Sequence, residues 1–223
     1  MKFTAIGGAI IAASASLASA AVYNDATGEN FDGNAHMDIS SVEVTNTALD
    51  ITFKVSTTGA LSNPNDWGKY CIGISKGAGG DTGAPVGNPW GRNITMASGM
   101  NAWIGSWVDS GGGAQAFTYS GSWTQNSQVA PTLASNSTTY TFTLASLGLA
   151  PGDTIHFDAY STGGGGGDSA NDVSSLAAQS TTGWGGPYVT PIDGGSVYVL
   201  AVPEPATLGV IAGAGLVALR RRK

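Results

Sequence analysis

The sequence predicts an all-β fold, an antiparallel β-sandwich or jelly roll of about eight to ten short strands. Three features carry that expectation. Apolar and polar side chains alternate with a period of two in several segments, clusters of Gly, Asn, Ser and Pro separate them, and no long segment alternates at 3.6. In chain order, Val42-Glu43-Val44 and the run from Leu49 to Val55 read as the first strands. Tyr70 to Ser75, Asn101 to Asp109 and Gln115 to Ser120 follow; then come the alternations Tyr140 to Leu144 and Ile155 to Tyr160, and finally Ser196 to Val202. Asp172 to Gln179 has helical character, one or two turns inside a loop. The glycine-rich stretches Gly77 to Gly87 and Gly163 to Gly167 read as loops at the ends of the sandwich. Neither an internal repeat nor a second domain is visible.

Composition bounds the chemistry. Glycine supplies 34 of 223 residues, but without a Gly-X-Y period and with only 9 prolines the chain is neither collagen nor a proline-rich disordered tract. Hydrophobic residues make up 42% and there are six tryptophans, enough for a packed core. The single cysteine, Cys71, excludes an intrachain disulfide and Cys-rich zinc sites. Two histidines, His36 and His156, leave little for a His-based metal or triad centre, and His156 falls on the polar side of its strand beside Asp158.

The N-terminus predicts a secretory signal peptide over residues 1–20. Met1-Lys2 precedes an apolar run rich in small residues, and Ala18 and Ala20 occupy the −3 and −1 positions of a cleavage before Ala21. The partners this implies are the secretion machinery and signal peptidase. Residues 21–201 then form one β-sandwich ectodomain. It keeps four cations, Lys54, Lys69, Lys76 and Arg92, against fourteen acids, a net charge of −10. That surface repels phosphate backbones and excludes nucleic acid as a partner, while suiting divalent cations or neutral polysaccharide.

Residues 202–223 form a second targeting segment. Val202-Pro203-Glu204-Pro205 precedes an apolar helix over 206–219 and the basic end Arg220-Arg221-Arg222-Lys223. Fourteen helical residues span roughly 21 Å, short of the roughly 30 Å hydrocarbon core, and flanking arginines extend the reach by snorkelling. This order of motif, short transmembrane-type helix and basic stop resembles the PEP-CTERM sorting signal of Gram-negative bacteria. The resemblance implies recognition by an exosortase-type enzyme, transient anchoring in the inner membrane, and release to the cell surface or extracellular matrix; a plain C-terminal anchor is the other reading. The layout from Asp25-Ala26-Thr27-Gly28 through Asp38 to Val42 and the strand Leu49 to Val55 also resembles the start of DOMON-like carbohydrate-binding sandwiches.

No catalytic residue is assigned. A Gly-x-Ser-x-Gly elbow is absent, and the ectodomain glutamates Glu29 and Glu43 read as loop and strand-surface residues. Sugars stack on aromatic faces, so Trp67, Trp90 and Trp184, each in a Gly/Pro/Asn loop, are the candidate ligand-binding residues; the alternative is that they staple loops to the core. Trp103 and Trp107 lie four apart and share one strand face. Residues 163–168 match a calcium-binding nonapeptide only as a single copy. A looser structural calcium site draws on Asp168, Asn171 and Asp172, or on Asp25 and Asp32, with turn chemistry as the alternative; no other cofactor is implied. The reading is an exported, non-enzymatic structural or adhesive component of exopolysaccharide or biofilm. Its alternatives are a carbohydrate-binding module and a surface glycan hydrolase.

Overall fold

The computed structural model describes residues 19–61, 67–83, 87–176 and 181–202. Most of the predicted signal peptide and everything from Pro203 onward lie outside the described residues. No helix among the described residues is long and apolar enough to cross a membrane.

The described chain is all-β. It forms β1 (Ser19–Asn24), β2 (Ile39–Asn46), β3 (Asp50–Thr57), β4 (Lys69–Ser75), β5 (Ile94–Met96), β6 (Ala102–Trp107) and β7 (Gly113–Tyr119). After these come β8 (Trp123–Val129), β9 (Thr132–Ala134), β10 (Ser137–Thr143), β11 (Thr154–Thr162), β12 (Ala170–Val173), β13 (Tyr188–Thr190) and β14 (Ser196–Val199). One antiparallel sheet runs β1-β2-β3-β10-β9, and a second runs β12-β11-β4-β6-β7-β8 with β14 also paired to β11. The arrangement is consistent with a sandwich. The predicted cleavage point falls inside β1, where Ala20 pairs with Thr45 and Ala21 with Val44.

Alternation explains the first sheet directly. In β3, Ile51, Phe53 and Val55 turn inward while Lys54 stays half-exposed opposite Glu43. They meet Ile72 and Ile104 of the second sheet in one core together with Phe157. The second sheet buries its other face as well. Cys71, Trp103, Phe117 and Tyr160 point away from the first core and pack under Ile94, Met96, Met100 and Tyr188. The short parallel pair β5 with β13 belongs to that outer layer. The stretch around Gly77 to Gly87 is therefore more than an end loop, because Asp81 bridges Met100 across this same layer.

Covering the outer face changes the environment of β11. Asp158, expected on a polar side, is 0% exposed. Its Oδ1 accepts from Ser174 Oγ at 3.2 Å, and its Oδ2 from Ser175 Oγ at 2.7 Å and Thr190 Oγ1 at 2.9 Å. Of the predicted helical segment 172–179, residues 172–173 end β12, which pairs with β11 from Tyr160 to Thr162, and a turn follows at Ser174 and Ser175, while 177–179 lie outside the described residues. Pairing to β11 satisfies the backbone of this segment in an extended form.

Two strand glycines accept indole rings. A Cβ on Gly105 would overlap the Trp90 ring, and a Cβ on Gly113 would overlap the Trp107 ring. Trp90 and Trp107 lie 6.1 Å apart, centroid to centroid. Cys71 is buried in the outer core, and burial pushes its thiol up to about 12.

Candidate functional site

Two neighbouring features converge where the loop after β1 meets β12. The loop from Asp25 to Asp38 is tied down by its own short polar side chains, which suit turns because they bond nearby backbone groups. Asp38, itself buried, accepts from the backbone N–H of Gly28 at 3.0 and 3.1 Å and from Thr58 Oγ1 at 2.8 Å. Gly28 has φ +87°, a conformation that favours glycine. Asp32 Oδ1 accepts from Asn30 Nδ2, the Asn34 N–H and Asn171 Nδ2 at 2.9–3.0 Å. The N–H of Asp32 in turn donates to Asn171 Oδ1 at 3.2 Å, so the loop is clamped to β12.

The first feature is an acidic pocket. Asp25 follows β1, Glu29 lies in the loop and Asp172 is on β12; one carboxylate oxygen from each lies within 4.8 Å of the others. Asp172 accepts from the N–H groups of Ile39 at 2.6 Å and Val173 at 2.8 Å, and Asp25 Oδ1 from Ala26 at 2.9 Å. Both oxygens of Glu29 and Oδ2 of Asp25 are sealed from solvent without a hydrogen-bond partner among the described residues. Burial, then the charges of Asp172 and Glu29, push the Asp25 carboxyl up to about 8. Burial also pushes Asp172 up to about 7, with the Ile39 and Val173 N–H groups opposing, and it raises Glu29 above the usual carboxylate range.

The second feature is aromatic. The Trp67 ring meets Trp184 edge to face at 5.2 Å, Trp184 meets Phe31 at 4.7 Å, and Trp67 meets His36 at 5.9 Å. Trp67 is 39% exposed and Trp184 half-buried. Because Phe31 belongs to the same loop as Glu29, the aromatic cluster and the acidic pocket share one support.

Trp67 and Trp184 are thus brought together, whereas Trp90 is not among them. It packs over Gly105, bonds Gln115 Oε1 through Nε1 at 3.3 Å, and lies under the Arg92 guanidinium at 5.7 Å. The calcium trio is divided. Asp168 accepts from the Gly165 N–H at 2.7 Å within its own glycine loop, Asn171 serves Asp32, and Asp172 faces Asp25 and Glu29. Adjacent residues of a strand point to opposite faces, which separates Asn171 from Asp172. Glu29, Phe31 and His36 carry no sequence signal for these roles, since their partners lie far away in the chain.

No protein-family profile matches the chain, and no curated protein matches it significantly.

Proposed function

We propose that the chain is an exported β-sandwich of the cell surface or extracellular matrix that holds neutral polysaccharide without chemically changing it. Export rests on the N-terminal sequence signal and on the C-terminal motif, apolar stretch and basic end, with a signal peptidase and an exosortase-type enzyme as processing partners. The observation that carries the binding role is the half-exposed Trp67 ring braced by Trp184. An indole offers a broad apolar face to sugar C–H groups, and bracing lowers the ordering cost of binding. The ectodomain charge of −10 suits neutral rather than anionic glycans.

Affinity electrophoresis of the full chain through gels containing soluble neutral glucans and galactans tests the binding role. Retardation by at least one polymer is expected, weakened tenfold or more by Trp67→Ala and unchanged by Trp90→Ala. Equal retardation of parent and Trp67→Ala would refute the role of this ring.

The export reading has its own test in the native host. Intact mass should show a chain starting at Ala21 and lacking the segment after about Pro205. A Pro203→Ala/Pro205→Ala variant should keep its tail in the membrane fraction. A tail retained equally in both would leave a plain anchor.

A further inference from the structure

We propose that Asp25, Glu29 and Asp172 form a binding site for a calcium-sized divalent cation, separate from the saccharide surface and clamping the loop after β1 to β12. Their carboxylate oxygens lie within 4.8 Å of one another. Calcium takes oxygens at about 2.3–2.6 Å, so oxygens on opposite sides of one ion stand up to about 5 Å apart and all three can touch it. Magnesium, with ligands at about 2.0–2.1 Å, requires a tighter set and an octahedron of near-ideal geometry.

A second observation points the same way. The surrounding polar groups are well served: Asp32 receives three donors and Asp38 is bonded by Gly28 and Thr58. By contrast, Glu29 Oε1 and Oε2 and Asp25 Oδ2 are sealed from solvent and receive none. Sealing ionised carboxylate oxygens from water without a partner is expensive, so three acids that bring such oxygens together, Asp172 buried and Asp25 and Glu29 partly so, need compensating positive charge. The protein does not supply it from the ectodomain cations. Lys54 pairs with Glu43, Lys69 with Asp109 and Lys76 with Asp153, while Arg92 lies over Trp90. What remains is a proton or a metal ion. Hard carboxylate oxygens arriving from three chain segments suit calcium, and the ion would fix the loop that carries Phe31 against Trp184.

The experiment uses the full chain stripped with chelator, titrated calorimetrically with calcium chloride and, separately, magnesium chloride, with thermal unfolding measured alongside. One calcium ion per chain is expected, with Tm rising by about 5–10 °C at a hundredfold excess over Kd and magnesium giving a smaller rise. Glu29→Gln and Asp25→Asn should each weaken calcium binding at least tenfold, and Asp168→Asn should leave it unchanged. Both neutral variants should fold without metal, since each removes repulsion between like charges. If either fails to fold, the parent titration decides. Absence of calcium uptake by the parent, or uptake that survives Glu29→Gln and Asp25→Asn, overturns the site; in the first case the pocket is neutralised by protons.

Discussion

Replacing Phe157 by alanine is expected to lower the unfolding free energy by about 3–5 kcal/mol, read from urea denaturation. Phe157 is fully buried on β11 and reaches across to the other sheet. Its ring meets Tyr23 of β1 edge to face at 5.0 Å and Phe53 of β3 at 5.6 Å. Tyr23 also donates its hydroxyl to the Val197 carbonyl at 2.6 Å, fastening the edge of the first sheet to β14. Truncation removes both ring contacts with these strands and opens a cavity that paired backbones on both sides prevent from closing. Phe157→Leu keeps most of the volume and should cost much less, about 1–2 kcal/mol. Equal small losses for both variants would mean that the two sheets do not rely on this contact.

Asp158→Asn should change how stability varies with pH. Burial pushes the Asp158 carboxyl up to about 6, despite the hydroxyls of Ser175, Thr190 and Ser174. Tyr160 and Tyr188 face the same network, and Tyr160 bonds Thr190 Oγ1 at 2.7 Å. In the unfolded chain an aspartate titrates near 3.9. Between about pH 4 and pH 6 the folded protein therefore holds a proton that the unfolded chain has released, so the contribution of Asp158 to stability falls as pH rises through that window and levels off above it. At about 1.4 kcal/mol per pH unit, the loss totals about 3 kcal/mol. An asparagine is neutral throughout, and the three hydroxyls can rotate to serve its amide. In chelator, the stability of the variant relative to the parent should rise by about 3 kcal/mol from pH 4 to pH 7; taking the difference cancels the parallel effects of Asp25 and Asp172. A flat difference would show that this carboxyl titrates alike in the folded and unfolded chains.

In the first sheet the sequence made β2, β3 and β10 legible, because one of their faces meets water, whereas β1 and β9 carried no strand signal. Alternation from Leu49 to Val55 and from Tyr140 to Leu144 became β3 and β10 with little shift. In the second sheet β4, β6, β7, β11 and β14 were legible as strands, but the layer over its outer face was not. Its outer layer buries both faces of β11, so Asp158 looked like a surface residue and is a core one. β8 reads Trp-Thr-Gln-Asn-Ser-Gln-Val, too polar to suggest a strand, and forms because it pairs with β7 at an edge of its sheet. β5 and β13 span three residues each, below the length at which a pattern can be recognised. The acidic pocket was half visible. Aspartate-rich loops marked Asp25 and Asp172 as ligand-forming residues, but which acids meet depends on the contact between the loop after β1 and β12, roughly 140 positions further along, and spacing carries no information about that.

Gly105 and Gly113 give the high glycine content a different meaning. Where a tryptophan lies flat on a strand, the missing Cβ is the mould into which the ring is cast, so some of the glycine contributes to rigidity rather than to flexibility. Positions 90 and 105, and likewise 107 and 113, then form lock-and-key pairs whose members are constrained jointly. A larger residue at 105 would be tolerated only with a slimmer one at 90, and related chains should have changed the two together.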